Sequence, residues 1–366
     1  MAITRAALRP RPGILEIEPY VGGKAELAGL DRIAKLSANE SALGPSERAI
    51  AAAAAALPEL HRYPDGNATE LRQAIGRRFD LDPARIVCGA GSDELIQLLT
   101  RAYAGPGDEV LYSAHGFLMY KLSALAAGAI PIAVPETGLK TDVEALLGAV
   151  TSRTRLVFLA NPNNPTGSYL TIDELNALHA GLPDDVMLVI DAAYAEYVQR
   201  NDYESGRALV DAADNVVMTR TFSKLFALAA LRLGWTYAPA HVVDVLNRIR
   251  GPFNVSRVAQ VAGVAALEDE DHQARSRDHN ATWLPWLAAE IGRLGPVVHP
   301  SVGNFLLIEF PTSPGRDAAA ASAWLERHGI VARAMGAYGL PHCLRLSVGT
   351  EAENRQVVET LAGFVR

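Results

Sequence analysis

Between Leu81 and Asp191, short apolar runs alternate with amphipathic stretches, and turns bearing Gly or Pro separate them. Ile86-Val87-Cys88, Glu109-Val110-Leu111-Tyr112, Arg155-Leu156-Val157-Phe158-Leu159 and Met187-Leu188-Val189-Ile190 carry little polar alternation. That is the pattern of strands buried on both faces. Ser92–Tyr103, Met119–Ala127 and Ile172–Ala180 fit helical spacing instead. The alternation predicts an α/β chain, a mainly parallel sheet covered by helices. Asn215–Thr219 and Leu233–Tyr237 add a strand on either side of Lys224.

Outside that block, Ser46–Leu60 with its alanine run Ala51–Ala56 reads as a packed helix, alanine being the best helix former. A long polar helical stretch from about Ala259 to Gly292 predicts a helix linking two lobes. Phe305–Phe310 and Cys343–Val348, around a helix at Asp317–His328, predict a smaller α+β lobe. The expected division is an N-terminal arm over 1–35 that packs with the small domain, a large domain over 36–255 and a small domain over 256–366.

Composition narrows the function. Of 366 residues 49% are hydrophobic and 20% charged, enough to bury a large core. Acidic residues outnumber basic ones by 41 to 34, so no general basic field exists to hold nucleic acid or an anionic membrane. No apolar stretch reaches the roughly 18–20 residues of a membrane-spanning helix, and Met1–Tyr20 lacks the apolar core of a signal peptide. Cys88 and Cys343, both in strand-like segments, read as reduced thiols, which implies a cytoplasmic setting. No metal-ligating constellation stands out.

The chemistry centres on Lys224. It follows a strand in mostly apolar company, where desolvation disfavours an ammonium and makes the amine a candidate nucleophile. Thr221 and Ser223 supply hydroxyls, and Arg232, eight residues on, supplies a cation suited to bidentate phosphate binding. A carbonyl cofactor bearing a phosphate fits all four. Asp191 ends a buried strand, where α/β sheets bind ligands, and a carboxylate there needs a partner. Gly89-Ala90-Gly91-Ser92 leads from a strand into a helix, whose first N–H groups make an anion site.

Thr221-Phe222-Ser223-Lys224 with Arg232, preceded by Asn161-Pro162-Asn163-Asn164-Pro165-Thr166-Gly167 and Asp191-Ala192-Ala193-Tyr194, resembles the pyridoxal-phosphate-dependent aminotransferases of the aspartate-aminotransferase-like fold. The resemblance runs from about Leu36 to Gly349 with the motifs in family order. It implies a large domain with a mainly parallel seven-stranded sheet, plus a smaller α+β domain. It implies that Lys224 holds pyridoxal 5'-phosphate as a Schiff base and then shuttles a proton between two carbons. By the same resemblance Asp191 meets the pyridinium nitrogen, Asn164 and Tyr194 meet the phenolic oxygen, and Phe117 stacks on the ring. Ala90, Gly91 and Ser92, with Thr221, Ser223 and Arg232, are assigned to the phosphate, and Tyr63 reaches the partner's cofactor across a homodimer.

Leu36-Ser37-Ala38-Asn39-Glu40-Ser41, Arg62-Tyr63-Pro64-Asp65 and Leu344-Arg345-Leu346-Ser347-Val348-Gly349-Thr350 are similar to the branch of this family that acts on histidinol phosphate, with 2-oxoglutarate as acceptor. That resemblance implies Tyr20, Asn39, Arg333 and Arg345 as substrate-binding residues. Aromatic-amino-acid aminotransferases share every cofactor residue and differ only in the substrate pocket. A threonine-phosphate decarboxylase also binds an amino phosphate but releases carbon dioxide. A cofactor-binding transcription regulator needs a basic DNA-binding segment that the chain before Leu36 does not supply.

Overall fold

The computed structural model describes residues 10–19 and 33–366. The strands are β1 (Ala34–Lys35), β2 (Ile86–Gly89), β3 (Glu109–Ser113), β4 (Ile130–Val134), β5 (Glu136–Thr137), β6 (Lys140–Thr141), β7 (Thr154–Ala160), β8 (Met187–Asp191), β9 (Val216–Thr221), β10 (Gly234–Tyr237), β11 (Val297–His299), β12 (Phe305–Glu309), β13 (Ile330–Val331), β14 (Arg333–Ala334) and β15 (Cys343–Ser347). The helices are α1 (Glu47–Ala56), α2 (Thr69–Phe79), α3 (Ser92–Tyr103), α4 (Met119–Ala127), α5 (Val143–Gly148), α6 (Ile172–Gly181), α7 (Arg207–Ala212), α8 (Ala240–Ile249), α9 (Arg257–Glu268), α10 (Glu270–Arg293), α11 (Ala318–Arg327) and α12 (Glu351–Val365).

The main sheet has seven strands in the order β2-β10-β9-β8-β7-β3-β4. All are parallel except β10, which runs antiparallel to both β9 and β2. The reversal has a local cause. The chain leaves β9 at Thr221 and re-enters the sheet at Gly234, its register partner, without a crossover to the other edge. Period-two alternation splits the apolar side chains between two cores. Val157, Leu159, Leu188 and Ile190 face α1, α2, α5, α6, α7 and α9, whereas Leu156, Phe158, Met187 and Val189 face α3, α4 and α8.

The second sheet, β11-β12-β15-β14, is antiparallel. One face packs with the end of α10 and with α11 and α12 through Leu306, Ile308, Leu344 and Leu346. The other carries Arg345 and turns toward the main sheet, as the Arg345–Asn164 hydrogen bond shows. Of the N-terminal arm, Ala34–Lys35 pairs in parallel with Ile330–Val331, while Arg11 donates to Ala126 O of α4 at 2.6 Å. The arm thus touches both layers.

The single helix expected over Ala259–Gly292 is two, α9 and α10, broken at Asp269. Asp269 leaves helical geometry (φ −90°, ψ 72°) and its side chain accepts from His272 N, capping α10. A capping aspartate competes with helix continuation by offering the backbone another acceptor.

Candidate active site

Five strands, β2, β3, β7, β8 and β9, end on the same edge of the main sheet, and each contributes to one cavity of about 220 Å³. Ser92 and Asp93 follow β2, Phe117 follows β3, Asn164 follows β7, Asp191 and Tyr194 come from the end of β8, and Thr221, Ser223 and Lys224 from the end of β9. The carboxyl edge of a parallel sheet is where such folds gather ligand-binding groups.

Lys224 is the cavity's amine. Its Nζ donates to the Ala38 carbonyl at 3.0 Å and lies 5.6 Å from the centroid of the Tyr194 ring. Burial lowers its pKa to about 8, and the Arg345 guanidinium adds to the shift; the Asp93 and Glu40 carboxylates oppose it. The side chain therefore gives up its proton far more readily than an ordinary lysine and is half uncharged near pH 8, as a nucleophile or base requires.

Asp191 lines the same cavity. Its Oδ2 accepts from the Tyr120 hydroxyl at 2.8 Å, and its Oδ1 is buried with no hydrogen-bond partner. Burial raises the carboxyl pKa to about 6, helped by the Asp93 charge; the Tyr120 hydroxyl is the strongest opposing group, with the Thr219 hydroxyl and the Ala193 N–H adding to it. An orphaned buried acceptor of this kind is costly unless a donor meets it.

A third corner gathers groups that could hold an anion. Gly91 precedes α3 at φ +83° and offers no capping side chain, so the first N–H groups of the helix stay available to an anion. Arg232 reaches the same corner: Nη1 donates to Ser223 Oγ at 3.4 Å and Nη2 to Asp93 Oδ2 at 3.0 Å. A Cβ at residue 91 would collide with Arg232 Nη2, so glycine there lets the guanidinium approach. The Ala90 N–H already donates to Glu94 Oε2 at 2.6 Å, and the Gly91 N–H to Gly89 O at 2.8 Å. The Ala90 and Gly91 N–H groups are thus engaged within the turn, and Gly91 leaves room for the guanidinium.

The remaining wall joins the two sheets. Asn164 Oδ1 accepts from Arg345 Nη1, and Arg345 Nη2 donates to Ser37 O at 2.6 Å. Arg333 on β14 is the register partner of Arg345 on β15, so both guanidinium side chains leave the same face of the small sheet. Asn39 stands behind the cavity: it is fully buried in a left-handed conformation (φ 55°), and its Nδ2 donates to the Tyr194 hydroxyl at 2.9 Å. Asparagine tolerates that backbone geometry better than most residues.

The structure brings together Ser92, Phe117, Asn164, Asp191, Tyr194, Thr221, Ser223, Lys224 and Arg232 around one cavity. Tyr63 is elsewhere, 82% exposed and stacked on Phe253 at 4.6 Å between ring centroids. Tyr20 lies outside the described residues. Three participants escape a reading of the sequence: Tyr120, the Ala38 carbonyl and Asp93. Tyr120 lies in the first turn of α4, three residues after Phe117, and its N–H donates to the Phe117 carbonyl at 3.0 Å across the intervening turn.

The model of the class I and II aminotransferase family matches residues 31–361. The histidinol-phosphate aminotransferase of Paramagnetospirillum magneticum is 58% identical over 356 residues, covering 97% of this chain and 98% of its own. That of Rhodospirillum rubrum is 56% identical over 364 residues, 99% of each. Among solved structures, histidinol-phosphate aminotransferase from Sinorhizobium meliloti in complex with pyridoxal-5'-phosphate superposes with a TM-score of 0.88 at 30% identity over 99% of both chains. Thermus thermophilus aspartate aminotransferase shares the fold, with a TM-score of 0.81 at 23% identity over 91% of this chain and 92% of its own.

Proposed function

The chain belongs to the class I and II aminotransferase family, and on that premise we propose that it transfers an amino group from histidinol phosphate to 2-oxoglutarate, using pyridoxal phosphate, in histidine biosynthesis. The products are imidazole-acetol phosphate and glutamate. Full-length likeness to enzymes of that name carries the choice of donor. Arg345, close enough to lower the Lys224 pKa, with Arg333 as its register partner on the next strand, fits a donor bearing a phosphate.

The cavity fits the cofactor. The buried, unpartnered Asp191 Oδ1 suits a protonated ring nitrogen, and the N-terminus of α3 with Ser223 and Arg232 suits its phosphate. Asn164 and Tyr194 suit its phenolic oxygen, and Phe117 the face of its ring. When bound, pyridoxal phosphate supplies an aldehyde that condenses with amines and a ring that withdraws the electron pair of a broken bond.

The chain's own residues do the rest. Lys224 Nζ, its pKa lowered by burial, takes the proton from Cα of the amino donor. Asp191, its charged form favoured against burial chiefly by the Tyr120 hydroxyl, keeps negative charge in the same cavity. Arg345 orients the substrate's anionic group, with Arg333 beside it on the next strand. Borohydride reduction of the coloured protein, followed by peptide mapping, should fix the cofactor on the Lys224 peptide; a label elsewhere would refute the assignment.

The active unit in this reading is a homodimer. Exposed Leu43, Ile50, Leu57 and Leu60 accompany Tyr63, and a second copy covering them would bring Tyr63 to its partner's phosphate corner. The setting is cytoplasmic, in keeping with two buried cysteines that form no disulfide. Among the described residues, no helix is long and apolar enough to cross a membrane.

A further inference from the structure

We infer that Tyr120 is a positioning residue for Asp191: its hydroxyl holds one carboxylate oxygen so that the other is presented to the cofactor's ring nitrogen. The inference rests on the reading of Asp191 given above and adds a residue from α4, outside the strand-end loops. Tyr120 is fully buried, and its hydroxyl lies 2.8 Å from Asp191 Oδ2. Its ring is held by stacking on Phe158 (centroids 4.7 Å apart, planes 4° apart) and by an edge contact with Phe117 (5.9 Å, 87°). Phe117 itself lines the cavity, so one side chain braces both the carboxylate and the aromatic wall.

The arrangement settles which oxygen does what. An aspartate carboxylate turns broadly about its last torsion. Anchoring Oδ2 to a phenol that cannot move leaves Oδ1, the atom without a partner, as the acceptor. The phenol stays a donor, because burial and the Asp191 charge push its own pKa well up. A donated hydrogen bond also favours the ionised carboxylate over the neutral acid, against the effect of burial. The titratable groups whose charge reaches Asp191 are Tyr120 on α4, Asp93 on α3, and Tyr194 and Tyr203 in the chain after β8; Lys224 lines the same cavity.

The test compares the wild type, Tyr120→Phe, Asp191→Asn and the double variant, each prepared with cofactor, by absorbance-monitored dissociation of pyridoxal phosphate between pH 6 and 9. Phenylalanine keeps the stack on Phe158, so the fold is retained. Tyr120→Phe should bind cofactor about tenfold more weakly at the acid end, with its acid limb displaced upward by roughly one pH unit. At pH 9 the difference should shrink to within about twofold. Adding Tyr120→Phe to Asp191→Asn should produce no such pH-dependent change. Equal weakening at every pH, no weakening, or the same shift in the Asp191→Asn background would overturn the inference. If Asp191→Asn itself binds cofactor like the wild type at all pH values, the assignment of Asp191 falls, and Tyr120 with it.

Discussion

Arg345 on β15 donates through Nη1 to Asn164 Oδ1 in the loop after β7, so one hydrogen bond ties the small sheet to the cofactor-facing edge of the large one. Its Nη2 is spent on Ser37 O. The planar fork that makes both contacts cannot be copied by an ammonium. Arg345→Lys should therefore lower kcat/KM for the amino donor and for 2-oxoglutarate alike, by about 10²-fold or more, in steady-state assays of both half-reactions. A loss confined to one substrate would show that the residue does not serve both.

Lys224 gives a pH signature. In cofactor-free protein its amine should react with a carbonyl or acylating reagent along a titration near pH 8, well below the ordinary lysine value of 10.5, and pyridoxal phosphate should protect it. Because the folded protein releases this proton before the unfolded chain does, stability of the cofactor-free form should rise with pH between about 8 and 10.5. Lys224→Met should remove that slope while reducing transamination by roughly 10³-fold or more. Thermal unfolding across that range, beside a turnover assay, checks both.

Asp191 behaves with the opposite sign. Its pKa is about 6 in the folded protein against an ordinary 3.8, so its contribution to stability is present below the lower value and is lost as pH rises through the higher. Asp191→Asn should make cofactor-free protein more stable than the wild type above pH 6. Single-turnover proton transfer should slow by about 10²-fold or more. An unchanged rate would remove Asp191 from the chemistry.

Gly91→Ala places a methyl group against Arg232 Nη2 at a backbone angle of φ +83°. Strain there should cost about 1 kcal/mol of stability. Pyridoxal phosphate should bind roughly tenfold or more weakly, because the guanidinium is driven from Ser223 and Asp93. Fluorescence titration with the cofactor and with inorganic phosphate measures this directly.

Much of this was legible beforehand because the strands are buried on both faces, and continuous apolar runs mark them clearly. Helix ends were less so: Asp269 breaks the stretch from Ala259 to Gly292 by capping, which periodicity alone does not register. The helix at Glu351–Val365 had a readable start in its capping box, Thr350 with Glu353. At the site, the motif residues that share one cavity were legible by type and order. What remained hidden was how their neighbours use the backbone: Ala38 offers a carbonyl to Lys224, and Ala90 gives its N–H to Glu94. Tyr120 was hidden for a different reason, since a buried aromatic on a helix looks like core until its hydroxyl is seen against Asp191.

The central claim is the choice of amino donor, and kcat/KM for histidinol phosphate, phenylalanine and tyrosine, each with 2-oxoglutarate as acceptor, tests it most directly. The expected result is a clear preference for histidinol phosphate that Arg333→Ala and Arg345→Lys both erode. A preference for phenylalanine or tyrosine, or release of carbon dioxide without any need for a 2-oxo acid, would contradict it.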